Sequence, residues 1–322
     1  MSTEPTTRRV SPLRALLGVV ATVALLGWLL SRVEPAQVVA VLGDLDPIWT
    51  SVGLCLYLAL QGVRALRFRR LAPEATPRLL LSVHLVQALL LRVMPFRSGE
   101  LGFAWLMRRH GGGSMSRNLV GVLLIRVLDL TTITMLFAVA LITFGRPRAW
   151  LALVALAVAA TLVPLALRPL LSLGARIVGR STAGRARLAA PGRRLAAALE
   201  EASTLPGRAI ATLHAITLAQ WTLNFVLLWV MLAAMRVPAS LAQTVLGGTG
   251  SVFGALVPIA GVGSFGPLEA GWTLGFAAVG MEETVAVTSA FGFSVVSFAY
   301  ALVSAALGWG LLPARPAVRP EP

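Results

Sequence analysis

Six charged side chains in this sequence lie within or beside long apolar stretches, where ionised groups are rare. Three are arginines and three are carboxylates. Because a charge is costly inside a bilayer, such residues normally pair with one another or face a polar ligand. Guanidinium groups bind phosphate through two parallel hydrogen bonds, and carboxylates can balance them at rest or carry a proton. We therefore predict a binding site for an anionic, phosphate-bearing ligand at Arg92, Arg97, Glu100, Arg126, Asp129 and Glu269.

Proline and glycine interrupt two of the apolar stretches close to these charges. The first interruption reads VMPFRSGELGFAW (93–105), and the second reads VPIAGVGSFGPLEAGW (257–272). Proline breaks the helical hydrogen-bond ladder, and glycine permits tight turns and close helix packing. Irregular backbone persists at membrane depth only where protein buries it or where it lines a wet cavity. The predicted helix-breaking residues are Pro95, Gly99, Pro258, Gly261, Gly263, Gly266 and Pro267.

Four of these candidate site residues also have a purely structural interpretation. Glu269 follows Pro267 in the first turn of a predicted helix, where its carboxylate could simply brace the break. Glu100 could do no more than complement a helix dipole, and Arg126 could be neutralised by Asp129 three residues later on the same helix face. The residues alone leave these alternatives open.

The composition is typical of an integral membrane protein. Of the 322 residues, 57% are hydrophobic and only 13% are charged, whereas a soluble domain has about 25% charged residues. The net charge of +15 comes from arginines between apolar stretches, which is the pattern of topology signals, so we expect no nucleic-acid partner. We find no metal-ligand spacing among histidines and cysteine, no nucleophile elbow and no phosphate-binding loop. We therefore predict no metal, no cofactor and no enzymatic activity.

Six stretches are long enough to cross a hydrocarbon core of roughly 30 Å as helices. Two further apolar regions, 79–109 and 241–281, are interrupted near the middle, and each half is short for a crossing. The six predicted spans are 13–31, 47–66, 118–144, 149–171, 209–235 and 284–312.

The placement of arginines favours re-entrant hairpins for the two interrupted regions. If both are hairpins and the N-terminus is cytoplasmic, then segments 64–78, 108–117 and 168–208 all face the cytoplasm, as the positive-inside rule requires. The two triplets of segments around the hairpins then run in opposite directions, which is the topology of an inverted repeat. The predicted fold is an all-α, polytopic transmembrane helix bundle with about six full spans and two re-entrant helical hairpins in an inverted-topology repeat.

We predict a single membrane domain, residues 13–312, in the bacterial cytoplasmic (inner) membrane. Cytoplasmic tails of residues 1–12 and 313–322 flank it, and residues 168–208 form a basic cytoplasmic loop. For residues 172–207 of this loop we expect a cytoplasmic amphipathic helix on anionic lipid, with a solvated basic loop as the alternative. Residues 33–46 are expected to form a short external helix.

Four stretches of this sequence are similar to motifs of one membrane family. They are RALRFRRL (64–71), RSGELG (97–102), RVLD (126–129) and P-x-x-G-x-G-x-x-G-x-x-E (258–269). The chain thereby resembles the lysylphosphatidylglycerol synthase transmembrane-region family, also described as flippase-like, which includes the membrane half of the multiple peptide resistance factor. It departs from that pattern at Ile125, where the family usually has an acidic residue, and at PIAGVGSFG, where a Pro-Gly-Gly run is more usual.

The resemblance implies a membrane domain that binds or translocates a lipid with an anionic head group, in support of membrane lipid or envelope biogenesis. It does not imply lysyl transfer, because that chemistry belongs to a C-terminal soluble domain that we expect to be missing here. An ion-coupled transporter of a small solute, and a membrane enzyme or non-catalytic partner in lipid or glycan synthesis, are the alternatives. Expected partners are membrane lipids, with a homo-oligomer or a separate lipid-modifying enzyme left open.

Overall fold

The computed structural model describes residues 35–94, 98–143, 149–183, 186–256 and 266–313, and throughout these ranges the regular elements are helices. In chain order they are α1 (Pro35–Gly43), α2 (Pro47–Arg69), α3 (Pro77–Val93), α4 (Gly99–Arg109), α5 (Met115–Thr143), α6 (Ala149–Ala183), α7 (Ala186–Ser203), α8 (Gly207–Ala234), α9 (Leu241–Leu256), α10 (Pro267–Ala278) and α11 (Glu283–Leu311).

Four of these helices, α2, α5, α8 and α11, are long and apolar enough to cross a membrane. They contain 23 to 29 residues, which at about 1.5 Å per residue exceeds a hydrocarbon core of about 30 Å. They coincide with four of the predicted spans, and the chain is a helical, multi-pass membrane protein. The predicted span 149–171 falls within α6, and the predicted span 13–31 lies outside the described residues.

Side-chain caps and prolines determine where two helices of the first half begin. Asp46 precedes α2, and its Oδ1 accepts a hydrogen bond of 2.9 Å from the backbone N–H of Ile48. Thr76 precedes α3, and its Oγ1 accepts one of 3.2 Å from Leu79. Both helices have proline in the first turn, where its missing N–H leaves no hydrogen bond unmade. The predicted short helix within 33–46 is present as α1.

The two interrupted regions each form a pair of short helices that pack against each other. The pairs are α3 with α4 and α9 with α10, and the four helices contain 17, 11, 16 and 12 residues. At about 1.5 Å per residue, each is shorter than a bilayer core of about 30 Å. Residues 95–97 and 257–265 between them lie outside the described ranges, and so do the predicted Pro95, Arg97, Pro258, Gly261 and Gly263.

Glycines allow α9 and α10 to approach closely. A methyl group on Gly250 would overlap the carbonyl oxygen of Gly271, and one on Gly254 would overlap the carbonyl oxygen of Pro267. Small residues at such interfaces let two backbones pack directly in a membrane, where no hydrophobic effect drives helices together. The α9–α10 pair is therefore held by backbone contact.

The contacts of helices α2–α5 resemble those of helices α8–α11. When α2 to α5 are matched in order with α8 to α11, the contact of α3 with α11 corresponds to that of α9 with α5. In the same way, the contact of α4 with α5 corresponds to that of α10 with α11, and α2 packs directly against its counterpart α8. The four helices α2–α5 and the four helices α8–α11 thus form two sets with matching contacts, and α1, α6 and α7 are additional to them.

The basic segment, residues 168–208, consists mainly of helices that pack against α5. Helices α6 and α7 pack against each other, and both contact α5. Leu171, Ala175 and Leu199 are buried against Leu124 and Leu128 of α5. The alternative of a solvated loop for residues 172–207 is therefore wrong, and contact of this segment with anionic lipid stays a prediction.

We predict that Gly271→Ala lowers the melting temperature of the purified protein in detergent. The added methyl group would push α9 away from α10, and overpacking of this kind costs about 1–3 kcal/mol. Gly62→Ala is the matched control, because a methyl group there meets no atom within 4 Å and alanine favours a helix. Equal melting temperatures for the two variants would contradict the close α9–α10 packing.

Candidate functional site

A cavity of about 330 Å³ lies between the two sets of helices, and every helix of both sets contributes to its wall. Most of the wall is apolar, but four guanidinium groups and two carboxylates also face the cavity among the described residues, which leaves an excess of two positive charges. The charged lining residues are Arg64, Arg67, Arg92, Glu100, Arg126 and Asp129.

Arg67 and Asp129 form a buried ion pair between α2 and α5. Arg67 Nη1 lies 2.5 Å from Asp129 Oδ1, and the two side chains are only 6% and 7% exposed. The same carboxylate oxygen accepts a hydrogen bond of 2.9 Å from Trp221 Nε1 of α8. Because both charges are removed from water, loss of either partner would leave the other uncompensated. The ion pair and the tryptophan together therefore connect three helices, α2, α5 and α8.

Arg126 and Glu100 form a second ion pair, between α5 and α4, and it is more accessible. Their side chains are 35% and 22% exposed. Arg126 also lies 3.8 Å from Asp129 Oδ2, so the predicted pairing of Arg126 with Asp129 is present as the longer of its two contacts with carboxylates. The nearest basic partner of Asp129 is Arg67 instead.

The other two cavity arginines donate hydrogen bonds to neutral side chains. Arg64 donates a hydrogen bond of 3.2 Å to the side-chain oxygen of Gln61, and it pairs with no carboxylate in the part of the chain that the structure describes. Arg92 donates a hydrogen bond of 2.5 Å to Ser297 Oγ of α11, and its guanidinium lies 5.8 Å from the centre of the Phe293 ring. Within the described residues, Arg67 and Arg126 thus have carboxylate partners, whereas Arg64 has none.

Sequence reasoning missed two of these arginines. Arg64 and Arg67 were expected in the cytoplasmic segment 64–78, but α2 continues to Arg69 and carries both into the cavity wall. Spacing was the available signal, because Tyr57, Leu60, Arg64 and Arg67 follow one another at intervals of three or four residues, which places them on one helix face. All four line the cavity.

The second helix break is stabilised by Glu269. Gly266 has a φ of 112°, in the region that favours glycine, and its N–H donates a hydrogen bond of 2.7 Å to Glu269 Oε2. Ser294 Oγ of α11 donates to the other carboxylate oxygen. Glu269 is 1% exposed, and it is not among the lining residues of the cavity, whereas Pro267 and Leu268 are. Its position supports a bracing role, and direct contact with a ligand stays a prediction.

Gly99 begins the helix that carries Glu100. A methyl group on Gly99 would lie 2.8 Å from the backbone of Leu90 in α3, so α4 starts in backbone contact with its partner helix. This contact positions Glu100, in the first turn of α4, beside Arg126 of α5.

A second concavity of about 340 Å³ lies between α4 and α5 and shares three residues with the central cavity. The shared residues are Glu100, Val122 and Arg126, so the accessible ion pair borders both spaces. Leu101 and Leu123 on its outer side are each 52% exposed. The groove therefore opens to the surroundings of the bundle. Its remaining lining residues are Ser98, Leu101, Leu119 and Leu123.

Comparison with known protein families gives a match over most of the chain. The family model described as lysylphosphatidylglycerol synthase TM region matches residues 15–305, which include every lining residue of the central cavity. No curated protein matches the chain, and no solved structure matches it. Within the described residues, no group of three or more His, Cys, Asp or Glu side chains is placed to hold a metal ion.

We predict that Asp129→Asn destabilises the protein by about 3–5 kcal/mol, because it leaves the buried Arg67 without its charge partner. Glu74→Gln is the control. Glu74 pairs with Arg117 at 2.9 Å, but these side chains are 38% and 36% exposed, so its loss should cost no more than about 1 kcal/mol. Denaturation of the purified protein measures both changes, and equal stability of the two variants would exclude a structural role for the buried pair.

Proposed function

Because the chain belongs to the lysylphosphatidylglycerol synthase TM region family, we propose that its central cavity binds a lipid with an anionic head group and that the protein moves this lipid across the membrane. The excess of guanidinium over carboxylate groups in a cavity enclosed by membrane helices supports this proposal most directly. An anionic ligand offsets that excess, whereas a cationic one would add to it.

The phosphate of the lipid binds at Arg64 and Arg92. Among the described residues, Arg64 has a neutral partner and no carboxylate. A guanidinium removed from water gains most from an oxyanion that accepts two parallel hydrogen bonds. Arg92 reaches the same cavity from α3, with Ser297 holding its guanidinium. A phosphate between them would replace water and the weak neutral contact of Arg64.

Arg126 exchanges partners during this process. At rest it pairs with Glu100 and lies near Asp129. A phosphate that enters the cavity can replace Glu100 as the partner of Arg126, while Asp129 keeps its close contact with Arg67. The exchange separates Glu100 from Arg126, and this costs less than separating a buried pair because the Glu100 side chain is 22% exposed.

Transport follows from an inverted repeat of two re-entrant helix pairs, α3–α4 and α9–α10. The equivalent contacts of α2–α5 and α8–α11 support this arrangement, as does the shortness of the four helices. In transporters built this way, the ligand site lies near the membrane midplane where the broken helices meet, and one repeat rocks against the other to change access.

An ion-coupled transporter of a small soluble solute is the competing function. Such a protein needs access from water at the two ends of the bundle. The groove between α4 and α5 opens instead between exposed leucine side chains, which favours a ligand with apolar tails.

We predict that Arg64→Gln weakens binding of phosphatidylglycerol at least about tenfold, because a hydrogen bond to a charged group contributes about 1.5–3 kcal/mol. Native mass spectrometry of the purified protein measures this affinity, with phosphatidylcholine as the reference lipid. Translocation of fluorescent phosphatidylglycerol in reconstituted vesicles should slow in the same variant. Arg69→Gln, at the exposed end of α2, is the control. Equal affinities of wild type for the two lipids would contradict the proposed function.

We also predict that residues 108–117 and 236–240 lie on opposite sides of the membrane. In a Cys55→Ser background, Arg108→Cys and Pro238→Cys are both at exposed positions. A membrane-impermeant thiol reagent applied to intact cells should label only Pro238→Cys, and both variants should react after permeabilisation. Labelling of the two cysteines from the same side would exclude the inverted repeat.

A further inference from the structure

We infer that the groove between α4 and α5 is the entrance for the lipid and the seat of an acyl chain, and that the Glu100–Arg126 ion pair closes it towards the central cavity at rest. This inference rests on the proposed function and adds the path by which the lipid enters the cavity and the ion pair that closes this path.

The groove and the cavity are adjacent spaces with a common wall. Glu100, Val122 and Arg126 line both, so a molecule in the groove meets the ion pair before it reaches the other cavity arginines. Glu100 comes from α4 and Arg126 from α5, so separation of these two side chains joins the two spaces without unfolding either helix.

The two ion pairs at Asp129 and Glu100 differ in how easily they open. Arg67 and Asp129 are 6% and 7% exposed, whereas Arg126 and Glu100 are 35% and 22% exposed. A partly exposed pair contributes little net stability, whereas a buried pair is strongly destabilised when one charge loses its partner. The accessible pair is therefore the one that can exchange its carboxylate for a phosphate, and the buried pair holds the helices meanwhile.

The groove has the chemistry of a phospholipid site. Leu101, Leu119 and Leu123 form an apolar wall beside the two charges. Leu123 is about 12 Å along α5 from its first residue, which places the wall within the spanning part of that helix. An acyl chain fits against the leucines while the phosphate approaches Arg126. A soluble anion would gain nothing from the apolar wall.

The experiment fills the groove with a bulky side chain. Leu123→Trp is compared with Leu307→Trp, because the two leucines lie on spanning helices and are 52% and 48% exposed. The ligand is phosphatidylglycerol with a photoactivatable diazirine in one acyl chain, bound to the full-length protein in detergent. Affinity and the site of photolabelling are both measured, and melting temperatures confirm that the variants are folded.

We expect the diazirine to label α4 and the first half of α5 in wild type and in Leu307→Trp. Leu123→Trp should lose this labelling and bind phosphatidylglycerol at least tenfold more weakly. Wild-type affinity in Leu123→Trp, or labelling only elsewhere in the chain, would overturn the entrance while leaving lipid binding intact. Equal affinity of wild type for phosphatidylglycerol and phosphatidylcholine would instead show that the proposed function itself is wrong.

A second variant tests the gate independently of packing. Glu100→Gln removes the competing charge but keeps the size of the side chain, so phosphatidylglycerol should associate several-fold faster than with wild type. An unchanged or slower association rate would exclude a closing role for the ion pair. Binding of inorganic phosphate as tight as that of phosphatidylglycerol would show a soluble anion as the ligand and overturn the entrance.

Discussion

The ion pair of Asp129 determines which of the cavity arginines have a carboxylate partner. This one carboxylate accepts close hydrogen bonds from Arg67 and Trp221 and lies 3.8 Å from Arg126. Because it is largely removed from water, its negative charge has to stay paired. Arg67 therefore holds α2 and α5 together, and Arg126 pairs with the accessible Glu100. Within the described residues, two carboxylates thus pair with two of the four cavity arginines, and Arg64 hydrogen-bonds to Gln61 instead.

The two helix breaks contribute to the site in different ways. At the first, Gly99 brings α4 into backbone contact with α3, and Glu100 then faces Arg126. At the second, Glu269 uses both of its oxygens to hold Gly266 and Ser294. A carboxylate committed to two donors in this way stabilises irregular backbone that would otherwise have unsatisfied groups in an apolar environment. The family match and the spanning helices show an integral membrane protein.

Much of the architecture could be predicted from residue patterns. Four spanning helices, two pairs of short helices and the short helix before Asp46 all lie where length, proline and glycine indicated. Arg92, Glu100, Arg126 and Asp129 do meet in one cavity. Arg64 was assigned to a loop because positive charge near the end of an apolar stretch usually marks a cytoplasmic boundary. That rule counts charges along the chain and does not consider which helix face carries them.

The sequence by itself determined the membrane setting, the helical class and the positions of the breaks, because apolar length, charge placement and proline act locally along the chain. Only the tertiary structure decided which charges pair. Arg67 and Asp129 are 62 residues apart in sequence, and Glu269 and Ser294 are 25 apart. These pairings depend on how separate helices pack, and no local sequence pattern encodes contacts between residues so far apart in the chain. Of the six charges predicted as one site, the five in the described residues take different places. Arg92 lies in the cavity wall, Glu100 and Arg126 form the accessible ion pair, Asp129 pairs with Arg67, and Glu269 braces the start of α10.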